Sequence, residues 1–123
     1  LAAFVNKEKA AAYKKAKDSI LKIDPKASLE AIKKSTPPVN VSDFVDHIDY
    51  IKNKIGIDHV GISSDFDGGG GIEGWRDASQ TYNITLELVR RGYSEQEIGK
   101  IWSGNLLRVL DRTQEVAKEL QGN

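Results

Sequence analysis

Two acidic residues and a run of four glycines stand together in the stretch Val60 to Gly71, which reads VGISSDFDGGGG. Asp65 and Asp67 follow directly on an apolar, β-branched segment, so both carboxylates are predicted to lie where a strand ends. A carboxylate in that place can bind a cation, exchange a proton with a substrate or fix a loop by hydrogen bonds. Glycines directly after it permit loop shapes that a Cβ would obstruct. This stretch is therefore the first candidate for a functional site.

The residue pattern of this loop fits some kinds of site better than others. The calcium-loop spacing of an EF-hand would place Gly70 correctly at its sixth position, but Gly69 and Arg76 would occupy the fifth and twelfth positions, where oxygen ligands are needed. A phosphate cradle is disfavoured because no G-K-[ST] follows and two carboxylates would repel the anion. A solvated turn without chemistry stays open, as does a catalytic loop at the carboxyl end of a strand in a (β/α)8 barrel.

The segments before the loop are mainly helical. An exposed helix is predicted over Lys7 to Ile23, and a short second helix follows a cap at Ser28. Asn40 and Asp43 resemble a capping box for the helix VSDFVDHIDYIKNKIG. The apolar stripe of that helix is predicted to comprise Phe44, Ile48, Ile51 and Ile55. The segment HVGIS is predicted to be a buried strand, which gives an α/β crossover pattern.

Three more helices are predicted after the loop. The first covers roughly Tyr82 to Arg91, and Ser94 with Glu97 forms a capping box for the second, in which Ile98, Ile101 and Trp102 face inward. The last helix runs from about Asn105 to Leu120. Its buried residues are predicted to be Leu106, Leu107, Val109 and Leu110. Six helices with one or two strands leave a strand without neighbours, so either the helices form an unusual bundle or partner strands belong to other sequence.

Composition excludes several classes of function. Lys plus Arg balances Asp plus Glu at 18 each, so no overall field attracts nucleic acid. The chain has no cysteine, which rules out disulfides and thiolate chemistry within it. No apolar run approaches the roughly 20 residues that span a bilayer. The chain begins with Leu1 and no methionine, which suggests a piece of something longer.

Several motifs, in order, resemble one enzyme family. DHIDYIKNKIGIDHVGISSDFDGG followed by LVRRGYSEQEIGKIWSGNLLRVL is similar to the carboxyl-terminal portion of the membrane (renal) dipeptidases. These are zinc metallopeptidases with an amidohydrolase-like TIM barrel. The similarity runs from about Asp46 to Leu110, and LAAFV resembles the end of the preceding barrel strand. Several motifs in the same order and spacing are a stronger signal than any one of them.

The resemblance implies a fold, a reaction and a site. The fold would be α/β, with residues 1–123 as one partial domain at the end of a (β/α)8 barrel. The reaction would be hydrolysis of dipeptides at a two-zinc centre, with Asp65 as the acid/base residue and as a contact for the substrate's free amino group. The family's zinc ligands all precede the matched region, so no metal ligand is expected in this chain, and the segment alone is expected to be inactive.

The remaining polar candidates are predicted to have structural roles. His47 flanks the apolar stripe of its helix, and although it could share a metal with Asp43 at i, i+4, a structural or surface role is expected. His59 is expected to pack at the start of the strand, and Asp67 to fix the loop by a hydrogen bond. Asn105 and Arg108 are predicted to cap the last helix and tie it to the barrel rather than to touch substrate. Trp75 and Trp102 are predicted to pack, although Trp75 could also line the mouth of a pocket.

One function of another class competes with the dipeptidase interpretation. The missing zinc ligands, the helical content and the lysine-rich first helix also fit a helical structural or interaction module without chemistry. In either case, unpaired strand edges favour self-association of the chain.

Overall fold

The computed structural model describes residues 2–122, which form a mostly helical structure. The helices are α1 (Ala2–Val5), α2 (Lys7–Ile23), α3 (Leu29–Ser35), α4 (Val41–Ile55), α5 (Tyr82–Arg90), α6 (Glu95–Gly99) and α7 (Asn105–Gln121). Two 3₁₀ turns span Ile57–His59 and Ala78–Gln80. Lys100–Gly104 form a π-helical turn that joins α6 to α7, so that the chain is helical without a break from Glu95 to Gln121. None of the described helices is long and apolar enough to cross a membrane.

The helix starts follow the local capping signals of the sequence. The side chain of Ser28 accepts a hydrogen bond from the backbone N–H of Ala31 at the start of α3. Asn40 with Asp43, and Ser94 with Glu97, form reciprocal capping boxes at the starts of α4 and α6. Each box satisfies N–H groups that a helix leaves without partners in its first turn. These three predicted helix starts are confirmed.

A single apolar cluster connects α4, α5, the π turn and the segments between them. Its buried members are Val39, Val45, Ile48, Val60, Ile72, Trp75, Ile84, Leu88, Tyr93 and Ile101. Trp75 is 1% exposed and lies between two other rings, with centroid distances of 5.1 Å to Phe44 and 5.4 Å to Phe66. Its indole N–H donates to the hydroxyl of Thr81. The packing role predicted for Trp75 is thus confirmed, and a place at the mouth of a pocket is wrong.

The predicted strands are not formed. Residues 2–122 contain no β-strand, only isolated bridges between Asn40 and Glu73 and between Ile72 and Trp75. The HVGIS segment begins in a 3₁₀ turn and continues without regular structure, and residues 2–5 are helical; Leu1 lies outside the described residues. A strand needs a neighbour for its backbone hydrogen bonds, and these residues supply none. The helix-rich part of the predicted fold class is confirmed, the strands are wrong for these residues, and the barrel stays a prediction.

Two predicted apolar faces are less buried than their patterns indicate. In α4 the buried positions are Val45 and Ile48, whereas Ile51 and Ile55 are 36% and 55% exposed. In α7 the only buried residue is Asn105. The four residues predicted to be buried there are from 49% to 73% exposed: Leu106, Leu107, Val109 and Leu110. Both corrections have one cause, because an apolar stripe is buried only where another element covers it.

Candidate functional site

The candidate site centres on Asp65, in the loop between the segment that follows α4 and the bridge at Ile72. The side chain of Asp65 is exposed, and its backbone has a left-handed conformation with φ of 53°. Asp and Asn adopt this region more readily than other residues with a Cβ. Its carbonyl oxygen accepts hydrogen bonds from the backbone N–H groups of Gly68 and Gly70, at 3.2 and 2.7 Å. The loop therefore folds back on Asp65 and holds its backbone in place.

Burial alternates along the segment that leads into this loop. Val60, Ile62, Ser64 and Phe66 are buried or half-buried, whereas the odd-numbered positions from 61 to 67 are exposed. A period of two is the side-chain pattern of a strand, although no strand pairing is present. The even positions face the helices. Asp65 consequently lies on the face that the helices leave open.

Two of the glycines lie close to Asp65. A Cβ on Gly68 would lie 2.6 Å from a carboxylate oxygen of Asp65. A Cβ on Gly70 would lie 2.3 Å from the backbone oxygens of both Ser64 and Asp65. The Gly70 contacts are with backbone, so position 70 needs a residue without a Cβ for the loop to close. The Gly68 contact is with the end of the exposed Asp65 side chain, which can turn away.

Asp67 does not fix the loop. Its side chain is exposed, with φ of 65°, and makes no hydrogen bond to any residue from 2 to 122. The loop is held instead by the glycine N–H groups, by a hydrogen bond from the Phe66 N–H to the hydroxyl of Ser64, and by the Phe66 ring against Trp75. The loop-fixing role predicted for Asp67 is wrong, because the residue falls on the outward side of the alternation.

A cavity of about 400 Å³ adjoins the glycine loop. Gly70 and Gly71 line one side, and Tyr13, Glu73 and Arg76 contribute polar groups. The Arg76 guanidinium donates to Glu73 at 2.7 Å, and the ammonium of Lys33 lies 2.9 Å from the other oxygen of that carboxylate. These two cations lower the pKa of Glu73. Nothing in the sequence brings Tyr13 and Arg76 together, so sequence reasoning missed this cavity.

The histidines are engaged apart from Asp65. The Nε2 atom of His47 lies 2.5 Å from the carbonyl oxygen of Val5, and Asp43 pairs with Lys9 at 2.6 Å. The expected structural role of His47 is confirmed. His59 is exposed beside Asp58 and Lys100, so its predicted packing role is wrong. Among the described residues, no group of three or more His, Asp and Glu side chains is arranged to hold a metal ion.

The start of α7 is tied to the turn after α4. The predicted capping is wrong, because the N-cap residue is Gly104 and no side chain makes a capping hydrogen bond there. The tie to a barrel stays a prediction. The amide of Asn105 donates to the carbonyl oxygens of Ile57 and Val60, at 2.7 and 2.8 Å. The guanidinium of Arg108 donates to the carbonyl oxygen of Asp58. Trp102 packs against the core and donates to the hydroxyl of Thr85. These contacts position Val60, the residue from which the segment leading to Asp65 begins.

Sequence reasoning missed a polar cluster that locks α4 to α5. Arg91 donates to Asp46 at 2.7 Å, to Asp49 at 2.6 Å and to Glu87 at 2.9 Å. Burial opposes the charge of this guanidinium, but the three carboxylates outweigh it and raise the pKa of Arg91. Asp46 and Asp49 lie at i, i+3 on α4, but Glu87 and Arg91 come from a distant part of the sequence, so no local pattern predicts the cluster.

Comparison with known proteins identifies the family to which the chain belongs. The sequence pattern of the membrane dipeptidases, peptidase family M19, matches residues 6–123. The chain is 49% identical over 77 residues to dipeptidase ataJ of Aspergillus terreus, which covers 62% of this chain and 19% of that protein. It is 36% identical over 90 residues to dipeptidase tcpJ of Claviceps purpurea, which covers 72% and 21%. With dipeptidase 3 of Homo sapiens it shares 40% over 82 residues, covering 65% and 17%.

One solved structure is similar in both fold and sequence. It is the crystal structure of the probable dipeptidase PvdM from Pseudomonas aeruginosa, with a TM-score of 0.57 and 52% sequence identity, covering 65% of this chain and 20% of that one. The chain belongs to the membrane dipeptidase family. It spans about a fifth of the length of the curated relatives it matches. Family membership does not favour the alternative of a helical module without chemistry.

Proposed function

We propose that this chain is part of a dipeptidase that hydrolyses the peptide bond of dipeptides. The family match over residues 6–123 and the relatives named as dipeptidases support the reaction. Because the chain spans about a fifth of those relatives, the complete active site would include residues from outside it. Residues 1–123 would be one partial domain at the carboxyl-terminal end of a (β/α)8 barrel. The strand-like alternation of burial before Asp65 supports that placement.

Asp65 is proposed as the acid/base residue and as a contact for the substrate's free amino group. One observation carries this assignment: the carboxylate of Asp65 stands on the open face, at the end of the alternating segment, over a loop that closes beneath it. A carboxylate can take a proton from an attacking water and pass it to the departing amine. The same charge attracts an ammonium group, which is the free amino end of a dipeptide.

The two zinc ions of the family are proposed for the complete enzyme. The described residues do not fit such a centre, because they include no group of three or more side chains able to hold a metal. The metal ligands would therefore lie outside this chain, and the 123-residue segment alone would be inactive. The contribution of these residues is to place and hold the Asp65 carboxylate.

Substitution in the complete enzyme tests the assignment. Asp65→Asn keeps the size of the side chain and tolerates the left-handed backbone, so the loop should persist. We expect dipeptide turnover to fall by about 10² to 10⁴, the range typical of general acid/base groups. Zinc content and thermal unfolding should not change.

Asp67→Asn is the matched control. Asp67 has the same side chain, a similar φ and similar exposure, but the loop does not fold back on its carbonyl oxygen as it does on that of Asp65. Turnover in Asp67→Asn should stay within about twofold of the unsubstituted enzyme, since surface changes away from a site are close to neutral. Equal activity in both variants would remove the catalytic role of Asp65. Loss of zinc in Asp65→Asn would instead make this residue a metal ligand.

A further inference from the structure

The cavity beside the glycine loop shares one residue with the backbone support of Asp65. We name it the glycine-loop cavity: its volume is about 400 Å³, and Gly70, whose N–H donates to the carbonyl oxygen of Asp65 at 2.7 Å, is part of its lining. Volumes from about 300 to 1,000 Å³ are typical of small-molecule sites. A dipeptide whose ammonium group is held at Asp65 would place the side chain of its first residue close to this cavity, because the nitrogen and the side chain leave the same Cα.

The lining of the glycine-loop cavity is aliphatic apart from the two glycines of the loop and three polar side chains. The polar side chains are those of Tyr13, Glu73 and Arg76. An aliphatic wall with a few polar groups can hold the stem of a ligand's side chain and leave the polar groups to select its end. The aliphatic residues are Ala2, Ala10, Pro38, Val39 and Ile72.

Both carboxylate oxygens of Glu73 are already paired. Arg76 donates to one oxygen at 2.7 Å, and the ammonium of Lys33 lies 2.9 Å from the other. Lys33 also lies 3.4 Å from Glu30, which does not line the cavity. The negative charge of Glu73 is therefore balanced from two sides, and this residue is not the group that a ligand would contact first.

Arg76, by contrast, keeps hydrogen-bond donors for a ligand. Its guanidinium carries five N–H donors, and only its Nη2 atom bonds to a residue from 2 to 122. The side chain is 61% exposed, so a substrate can reach it. The hydroxyl of Tyr13 makes no hydrogen bond to these residues either. The side-chain groups that remain for a ligand are therefore a cation with several donors and a hydroxyl, and both suit an acceptor.

We propose that the glycine-loop cavity binds the side chain of the dipeptide's N-terminal residue and that Arg76 selects an acidic one. The methylene groups of a glutamate side chain pack on the aliphatic wall, and its carboxylate accepts hydrogen bonds from Arg76. Lys33 offsets the charge of Glu73, which would otherwise repel this carboxylate. Hydrogen bonds between ions are stronger than those to a neutral amide, so glutamate is preferred to glutamine. The inference rests on the proposed function, because it assigns a substrate class to the same site.

Two matched dipeptides, assayed with the complete enzyme, test the proposal. Glutamyl-alanine and glutaminyl-alanine have the same shape and differ in the charge of the group that Arg76 would contact. The unsubstituted enzyme should have a kcat/KM about tenfold higher for glutamyl-alanine, which is the size of one partly exposed charge-assisted hydrogen bond. Arg76→Met should abolish this ratio. Arg76→Lys should keep part of it, because the positive charge remains.

The loop should stay folded in these variants. The backbone N–H of Arg76 donates to the side chain of Gln80, and Glu73 retains its pair with Lys33. Arg112→Met is the matched control, since Arg112 is 63% exposed, lies on α7 and does not line the cavity. This control should keep the ratio of the unsubstituted enzyme.

Equal kcat/KM for the two dipeptides, or an unchanged ratio in Arg76→Met, would overturn the proposal. A preference for leucyl-alanine over both would assign the cavity to apolar side chains and overturn it as well.

Binding supplies a second measurement that needs no turnover. In reduced-bond analogues of the two dipeptides a CH₂–NH group replaces the peptide bond, so they can bind without being hydrolysed. The glutamyl analogue should have a Kd about tenfold lower than the glutaminyl analogue, and Arg76→Met should remove the difference. Equal Kd values, or no binding of either analogue, would overturn the proposal. An enzyme that hydrolyses no dipeptide would end the proposed function, whereas the ratio of Kd values would still decide this inference.

Discussion

Helices α4 and α7 are similar in length and pattern but opposite in burial. α4 has 15 residues and buries Val45 and Ile48, while α7 has 17 residues and buries only Asn105. The apolar positions of α4 meet α5 and Trp75, whereas the apolar positions of α7 meet no described element over most of its length. An amphipathic pattern thus shows that a helix needs a partner without showing that the same stretch of chain supplies one.

The largest effect is expected at the buried face of α4. Ile48 is 3% exposed, whereas Leu120 of α7 is 83% exposed. Ile48→Ala should lower the free energy of unfolding by about 2 to 5 kcal/mol, through lost burial and the cavity left behind. Leu120→Ala should change it by less than about 0.5 kcal/mol. Urea unfolding of both variants checks the difference, and equal losses would contradict this contrast between the helices.

Removing the polar anchor of α7 should have the next largest effect. Asn105→Ala leaves the carbonyl oxygens of Ile57 and Val60 without the amide that binds them. A buried group without its partner costs about 1 to 3 kcal/mol, so stability should fall by that amount. Arg112→Ala, elsewhere on α7, should be close to neutral. If thermal unfolding shifts equally in both variants, Asn105 is not the anchor.

The polar side of α4 depends on one guanidinium. Arg91→Ala removes the contacts to Asp46, Asp49 and Glu87 and should cost about 1.5 kcal/mol, discounted because the side chain is 20% exposed. Arg91→Lys should recover only part of this, since an ammonium cannot reproduce the fork of bonds.

The neighbouring Arg90 provides the control for this cluster. Its side chain is 67% exposed and lies 3.9 Å from Glu87. Arg90→Ala should change stability by less than about 0.5 kcal/mol in the same denaturant titration. A loss as large as that of Arg91→Ala would show that general surface charge, rather than the cluster, holds α4 to α5.

The smallest effect concerns pH. A hydrogen bond from Lys52 of α4, aided by the Ser94 N–H, lowers the pKa of Glu97 from 4.5 to about 2. A carboxylate whose pKa is lower in the folded chain than in the unfolded chain stabilises the fold at pH values above its unfolded pKa. This contribution is lost as the pH falls through the folded pKa. Stability should therefore decline between about pH 4.5 and pH 2.

Glu97→Gln should flatten the pH dependence of stability in this window. Glu95→Gln is the control, because the carboxylate of Glu95 makes no ion pair among the described residues. Unfolding midpoints measured at several pH values compare the two variants. An unchanged slope in Glu97→Gln would contradict the assignment.

The features that the sequence predicts correctly are local. The caps at Ser28, Asn40 and Ser94 are encoded within four residues. The predicted strand at HVGIS is wrong for these residues, because a strand's hydrogen bonds depend on partners that are distant in sequence or outside the chain. The predicted burial of Leu106 and its neighbours is wrong for the same reason, because the covering element is not among these residues. Arg91 was missed because its three carboxylates come from two helices that only the fold brings together.

The close approach of the glycine loop to Asp65 also limits which substitutions this loop can accept. Positions 68 and 70 have no room for even a methyl group without displacing the acid or its backbone. Any variant that keeps this loop must therefore keep a glycine at position 70, whereas position 68 can accept a small side chain if the carboxylate turns aside.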